Sequence, residues 1–250
     1  MKKKEVLGII TARGGSKSIP KKSIYKCAGK PLLYYTIKAA EKAKLITRLI
    51  ISTDDEEIAM IAKKYGVEVP FMRPKKLAGD KSPDIDLFKH ALIKLKKEEG
   101  YNPDVVVHLR PTTPLKSSND IDKGIKLILR DRNCHSVRSV CLPNHSPFKM
   151  YHLKKGKKYL IPIMREVYPN LFKKIPEAYN LPRQILPKTW RHSGYIDIVR
   201  PEIILNNSMS GTKILPLYFE SWRDVDIDTM NDLKYAEVII KELRRKGEDI

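Results

Sequence analysis

Apolar residues in the first two thirds of the chain follow two alternating patterns. Short runs rich in β-branched residues predict strands, and the segments between them repeat apolar residues at the three- and four-residue spacing of helices. The predicted strands cover residues 6–11, 49–52, 67–71, 105–109 and 136–142. This alternation is typical of a mostly parallel sheet covered by helices on both faces, a three-layer α/β/α, Rossmann-like fold. Residues 105–109 are almost wholly apolar, which predicts a central strand.

The pattern changes after residue 142. Residues 143–190 are rich in proline and lysine and show no clean period, yet they contain too many apolar residues for a flexible loop. The sheet pattern returns in 194–199 and 214–217, and a last helix carries Leu233, Ala236, Ile240 and Leu243 on one face. We therefore predict a main domain of residues 1–142 and 191–250, with residues 143–190 as an inserted arm that serves dimerisation.

Composition and charge limit the classes of function. No apolar run approaches the roughly 20 residues that cross a bilayer, and the first strand leads into Arg13 and glycines rather than a cleavage site. Three cysteines without metal-ligand spacing predict free thiols, so we expect a cytoplasmic protein. The net charge is +20, but the lysines are spread along the chain without interleaved aromatics. We expect a solvated lysine-rich surface and neither a nucleic-acid nor a membrane partner.

A glycine-rich segment, residues 12–17, directly follows the first predicted strand. Paired glycines allow backbone N–H groups to surround an anion, and Arg13, Lys17 and Lys22 add positive charge. The spacing matches neither the P-loop nor the dinucleotide-binding pattern. The alternative is an ordinary strand-to-helix turn with incidental lysines. Ligands of α/β sheets bind at the carboxyl ends of strands, which favours a phosphate-binding loop.

Three aspartates alternate with apolar residues before the last helix. Alternate side chains of an extended segment point to one side, so Asp224, Asp226 and Asp228 could converge. Hard carboxylate oxygens suit Mg²⁺, which shares its remaining positions between water and phosphate oxygens. The alternative is a helix cap at Asp228 on a solvated strand edge. The residues by themselves do not separate the two.

Several blocks, taken in order, resemble the acylneuraminate cytidylyltransferase family, with CMP-Kdo synthetases as more distant relatives. Beyond the first block, Ile10-Thr11-Ala12-Arg13-Gly14-Gly15-Ser16-Lys17, they extend over nearly the whole chain. The others are Ser52-Thr53-Asp54-Asp55, Arg73-Pro74, Leu77-Ala78-Gly79-Asp80, His90-Ala91-Leu92, Leu109-Arg110-Pro111-Thr112-Thr113-Pro114-Leu115, Pro182-Arg183-Gln184, Gly194-Tyr195-Ile196 and Asp226-Ile227-Asp228. The resemblance implies a nucleotidyltransferase fold, and the apolar, basic arm at 143–190 suggests a homodimer. The resemblance also implies an enzyme that joins CTP to a 2-keto-3-deoxy acidic sugar and releases pyrophosphate.

The resemblance implies roles for residues at matching positions, and the residues themselves suggest roles at the others. Catalysis is expected from Arg13, Lys22 and Asp228. Contacts to CTP are expected from Arg13, Gly14, Ser16, Lys17, Lys22, Ser23, Arg73 and Arg110. The sugar acid is expected to meet Arg110, Arg183, Gln184, Arg191 and Ser193. The pair Asp226 and Asp228 is expected to hold Mg²⁺.

This chain departs from the family pattern in three places. Many relatives have Asn in place of Ser23, Gln in place of Arg110, and Asn-Gly-Ala in place of Ser193-Gly194-Tyr195. An extra guanidinium at Arg110 can bind a carboxylate or phosphate through two parallel hydrogen bonds. The sugar could therefore be legionaminate, pseudaminate or Kdo, and the nucleotide could differ from CTP. A remoter alternative is a basic nucleic-acid-binding protein without the chemistry.

Overall fold

The computed structural model describes residues 3–248, which divide into two compact units. One unit comprises residues 3–139 and 193–248, and the other comprises residues 140–192. The strands are β1 (Val6–Thr11), β2 (Lys26–Cys27), β3 (Lys30–Pro31), β4 (Arg48–Ser52), β5 (Val105–Leu109), β6 (Ser136–Cys141), β7 (Tyr151–His152), β8 (Ile161–Pro162), β9 (Arg191–Val199) and β10 (Ile214–Tyr218). The α-helices are α1 (Leu32–Lys42), α2 (Glu56–Lys64), α3 (Asp84–Glu99), α4 (Ser118–Arg130), α5 (Ile163–Val167), α6 (Pro169–Lys174), α7 (Pro201–Leu205) and α8 (Met230–Arg245).

Six strands form the central sheet in the order β10-β6-β9-β5-β1-β4. Strand β1 runs parallel to both of its neighbours, with Ile9 opposite Ile50 on β4 and opposite His108 on β5. Strand β9 pairs with β5 in the antiparallel direction. The prediction of a mixed, mostly parallel sheet with β5 in its interior is confirmed.

One predicted strand is wrong. Residues 67–71 make a single bridge to β4, where the Ile51 N–H donates to the Glu68 carbonyl over 3.0 Å. Pro70 lies two residues after Glu68, and proline has no N–H with which to continue a ladder. The apolar run therefore reaches the sheet edge without extending it.

The two faces of the sheet carry separate apolar layers. Val6 and Ile10 of β1 pack with residues of α1, α2 and α4, such as Leu33, Ile58 and Ile125. The alternate residues of β1, Leu7 and Ile9, belong to the other layer. Their neighbours there come from α3 and α7, among them Phe88, Leu92 and Ile204. Because successive side chains of a strand point to opposite faces, one strand serves both layers, and the predicted α/β/α arrangement is confirmed.

The second unit has an apolar core of its own. Phe148, Met164, Ala178 and Leu186 are buried together, and partly buried residues of α6 pack against them. A short hairpin of β7 and β8 precedes α5. The apolar residues of the proline-rich segment thus form a core instead of a flexible loop.

All three cysteines are buried free thiols. Burial raises the pKa of the Cys27 thiol to about 12, which makes that side chain a packing residue rather than a nucleophile. Within residues 3–248, no helix is long and apolar enough to cross a membrane.

Candidate active site

A cavity of about 400 Å³ lies where β1, β4 and β5 end. Ligands of α/β sheets are generally bound at this edge. Eight residues to which the sequence assigned a role line the cavity, together with others to which it assigned none. The eight are Arg13, Ser16, Lys17, Lys22, Ser23, Arg73, Arg110 and Asp228. The others are Thr11, Ser18, Asp84, Leu87, Pro111 and Thr112.

Gly14 shapes the glycine-rich loop instead of lining the cavity. Its N–H donates to the Asp54 carboxylate over 3.1 Å, and a Cβ at this position would lie 2.9 Å from the Cβ of Asp55. The Asp55 carboxylate accepts the Ile58 N–H and caps α2. The loop therefore rests on the N-terminus of α2, where only glycine fits. Gly15 has no atom within 4 Å of the corresponding position.

Two cations of the loop share one carboxylate. Asp80 is 3.1 Å from Arg13 Nη2 and 2.6 Å from Lys17 Nζ, and Arg13 also donates to the Gly79 carbonyl. The hydrogen bond from Lys17 lowers the pKa of the Asp80 carboxyl. These contacts hold the segment around residue 79 against the glycine-rich loop. The positive charge of the loop is therefore only partly compensated within the chain.

Lys22 joins the loop to the aspartate segment more than two hundred positions later. The side chain is 10% exposed, and its Nζ lies 2.9 Å from Asp228 Oδ1 and 2.6 Å from the Ile227 carbonyl. Asp228 is 78% exposed and keeps most of its carboxylate open. The buried lysine thus orients an accessible carboxylate at the cavity.

The cap of α8 is Thr229, not Asp228. Thr229 and Asp232 form a reciprocal capping box, so the alternative that assigned Asp228 to the cap is wrong. Val225 and Ile227 are buried, and Asp226 and Asp228 are both exposed. This is the alternation expected of an extended segment. Asp226 itself is not part of the cavity lining.

Lys116 is a buried lysine that sequence reasoning missed. Its Nζ donates to the carbonyls of Arg110 and Thr113 over 2.5 and 2.6 Å. Burial holds the pKa of Lys116 well below its usual value. The lysine closes the turn after β5 and so fixes the backbone that carries Arg110. Its position after the Pro-Thr-Thr-Pro turn is the only sequence signal.

Arg73 and Arg110 enter the cavity from different elements. Arg73 is 5% exposed, and its guanidinium donates to the hydroxyl and the carbonyl of Ser52 at the end of β4. Burial lowers the pKa of Arg73, but a guanidinium remains charged at neutral pH. Arg110 follows β5 and pairs with Asp197 and Asp84. Sequence reasoning did not single out either carboxylate.

The segment expected to distinguish the sugar lies inside the protein. Ser193 is 3% exposed, and its hydroxyl donates to Asp224 over 2.5 Å. Tyr195 is fully buried, its ring is stacked on Phe219, and its hydroxyl donates to Asp120. Neither Ser193 nor Tyr195 lines the cavity. Both act in packing the sheet.

Three other predicted sugar contacts belong to the second unit. Arg183 and Gln184 line a cavity of about 270 Å³ formed within residues 140–192. Arg191 lines a different cavity of about 380 Å³ in the same unit. The second unit therefore does not gather these three side chains into one cavity.

Comparison with solved structures defines the class of the fold. The chain resembles "CMP:2-keto-3-deoxy-manno-octonic acid synthetase complexed with CTP" with a TM-score of 0.67 and 14% identity, over 95% of this chain and 99% of that one. At this identity the likeness establishes the fold alone. It is the α/β fold of nucleotidyltransferases.

The family follows from the sequence comparisons. The family model described as "Cytidylyltransferase" matches residues 7–156. The chain is 30% identical to "Post-translational flagellin modification protein B" of Campylobacter coli, over 98% of this chain and 99% of the relative. It is also 30% identical to the pseudaminic acid cytidylyltransferase of Campylobacter jejuni subsp. jejuni, over 94% and 96%. The chain belongs to the cytidylyltransferase family and is a nucleotidyltransferase.

The contact between Gly14 and Asp55 leads to a prediction about stability. A methyl group in G14A meets the Cβ of a helix cap that cannot easily move, so we expect a loss of about 1–3 kcal/mol in the free energy of unfolding. G15A adds the same methyl group in open space and is the matched control. Thermal unfolding of the ligand-free protein measures both. Equal melting temperatures for the two variants would contradict this account of the loop.

Proposed function

We propose that this cytidylyltransferase transfers CMP from CTP to the anomeric hydroxyl of a nine-carbon 2-keto-3-deoxy acidic sugar. The observation that carries the proposal is the cavity itself, where five cations face a space of about 400 Å³ beside the carboxylate of Asp228. A triphosphate and a sugar acid both need such positive charge. The pseudaminic acid cytidylyltransferase among the relatives supports the class of sugar. Free, buried thiols fit a cytoplasmic enzyme.

The proposed reaction is a single displacement at phosphorus. The sugar hydroxyl loses its proton to solvent and attacks the α-phosphorus of CTP, the bond from that phosphorus to the oxygen bridging to the β-phosphorus breaks, and pyrophosphate leaves with that oxygen. Positioning and charge neutralisation account for most of the catalysis in such transfers. Arg13, Lys17 and Lys22 would stabilise the charge that develops on the phosphate oxygens. Arg73 is held rigidly at the end of β4 and would orient the nucleotide.

Asp226 and Asp228 fit the requirements of a magnesium site. Both carboxylates are exposed, Asp228 is released from helix capping by Thr229, and oxygen ligands suit Mg²⁺. Residues 3–248 contain no cluster of three or more metal-ligating side chains, so phosphate oxygens and water would complete the coordination. When bound, the ion would neutralise phosphate charge and lower the pKa of the attacking hydroxyl. The protein residues would hold and orient both reactants.

Pyrophosphate release tests the proposed reaction. We expect release from CTP in the presence of N-acetylneuraminate, pseudaminate or legionaminate and a divalent cation, and little release with Kdo. ATP, GTP and UTP are expected to be poor donors. Each nucleotide without sugar is the control. Release with none of the acids, or only with another nucleotide, would overturn the proposal.

Removal of the aspartate carboxylates tests the metal site. D226N and D228N are each expected to lower kcat by at least about a hundredfold, because charge neutralisation in the transition state is lost. The melting temperature of D228N should stay close to that of the parent, since Thr229 caps α8. E242Q, a neutralisation on the exposed part of α8, is the control. Full turnover of D228N in Mg²⁺ would contradict the assignment.

We also propose that residues 140–192 form the contact of a homodimer. Several large apolar side chains of this unit are exposed, and together they exceed what scattered surface residues require. They are Leu153 (56%), Tyr159 (76%), Leu160 (62%), Val167 (59%) and Ile185 (61%). A second copy of the chain would cover them. Arg183, Gln184 and Arg191 belong to the same unit.

Light scattering after size-exclusion chromatography tests the dimer. We expect twice the chain mass for the parent protein and a large shift to monomer for L160E, because a charge would be buried at the contact. I93E places the same charge on an equally apolar, 57% exposed position of α3 and should leave the mass unchanged. A monomeric parent protein would refute the proposed dimer and would leave the proposed reaction unaffected.

A further inference from the structure

Arg110 forms an ion pair with the buried carboxylate of Asp197. Asp197 on β9 is fully buried, and its Oδ2 lies 2.8 Å from Arg110 Nη1 and 2.7 Å from Arg138 Nη1. Arg138 is itself fixed by a 2.7 Å hydrogen bond to the Ser210 hydroxyl. A buried carboxylate is tolerated only when it is fully paired. Separating Asp197 from either guanidinium would therefore cost a large free energy.

Arg110 has a second carboxylate partner of a different kind. Asp84, the first residue of α3, lies 3.3 Å from Arg110 Nη2, and its side chain is 47% exposed. Both residues line the cavity. An exposed pair at this distance contributes little, since water and salt compete with it. The two ends of the Arg110 guanidinium are therefore held with very different strengths.

The backbone is shaped around the arginine. A Cβ on Gly194 would lie 3.3 Å from Arg110 Cδ, and the Gly194 carbonyl accepts a 3.3 Å hydrogen bond from Arg110 Nη1. Lys116 Nζ donates a hydrogen bond to the Arg110 carbonyl. The Nη1 edge and the main chain are fixed, which leaves the Nη2 edge as the part of Arg110 that can change partner.

We propose that Asp84 is an exchangeable counter-ion that occupies Arg110 until an oxyanion of the substrate displaces it, and that Asp197 is the positioning residue that keeps Arg110 in place during the exchange. The inference rests on the proposed function. The displacing group is an oxyanion, either the carboxylate of the sugar acid or a phosphate of CTP, because both match a guanidinium edge. Exchange at Asp84 costs little, whereas exchange at Asp197 would leave a buried charge unpaired.

Neutralising the counter-ion tests the exchange. D84N removes the competing charge, so the ligand that uses Arg110 should bind about threefold more tightly. D86N makes the same change of charge in the same first turn of α3, away from the cavity lining, and should not alter binding. Calorimetry with CTP and Mg²⁺, and separately with N-acetylneuraminate, pseudaminate and legionaminate, identifies the source of the oxyanion. A change for CTP indicates phosphate, and a change for a sugar acid indicates its carboxylate.

The tighter binding expected of D84N depends on Arg110. In the R110Q background, the additional change D84N should have no effect, because the two residues then no longer interact. D197N should raise the Kd and the KM of the same ligand at least about tenfold with a smaller change in kcat, since the fork of Arg110 is displaced but not removed. Should D197N fail to fold, R138Q/D197N removes the buried carboxylate together with the second guanidinium that it pairs, so that no buried charge is left without a partner. That variant should fold and bind the ligand as weakly as D197N is expected to.

Unchanged binding of every ligand by D84N would overturn the inference, as would a D84N effect that persists in the R110Q background. These binding measurements do not need turnover. A parent protein that releases no pyrophosphate with any acid would overturn the proposed function, while the binding comparison between D84N and D86N would still decide the role of Asp84.

Discussion

The crowding of positive charge around one small cavity is the constraint on which the rest of the site depends. Five cations line it: Arg13, Lys17, Lys22, Arg73 and Arg110. Without a ligand such a cluster repels itself, and each member needs a compensating group. Asp80 pairs with Arg13 and Lys17. Asp228 pairs with Lys22, and Asp84 and Asp197 both pair with Arg110. Arg73 is held by hydrogen bonds to Ser52.

These compensating groups differ in how tightly they are held. Asp197 is fully buried, so it serves as a permanent partner. The side chains of Asp80, Asp84 and Asp228 are 38%, 47% and 78% exposed, and their pairs with the cations are weakened by water and salt. A charged ligand can therefore replace the exposed carboxylates without disturbing the fold. The site keeps its geometry before the substrate arrives, which reduces the reorganisation that catalysis requires.

The parallel sheet brings these groups together. Strands β1, β4 and β5 run in the same direction, so the glycine-rich loop, the Asp54–Asp55 turn and the Arg110 turn all emerge at one edge. The backbone of the loop also approaches the cap of α2 closely, and only glycine fits at position 14. The second unit has its own apolar core, which is not built on these parallel strands.

Much of this could be predicted from periodicity and turn chemistry. The strands at 6–11 and 105–109 have the predicted bounds, and the predicted apolar face of the last helix is the buried face of α8. The strand predicted at 67–71 failed because periodicity does not register what Pro70 does to a ladder. The Asp228 alternative could not be decided either, since Thr229 competes for the same cap and wins by forming a capping box with Asp232.

By itself the sequence determined the α/β fold and the position of the glycine-rich loop, and comparison with the family pattern added cavity residues such as Arg73 and Arg110. Local patterns suffice for the fold and the loop, because strand ends and loops follow from neighbouring residues. Only the tertiary structure decided which carboxylate faces each cation, and that Ser193 and Tyr195 are core residues. The pairing of Arg110 with Asp84 and Asp197 joins positions 26 and 87 residues apart, and contacts across such distances depend on how the layers pack.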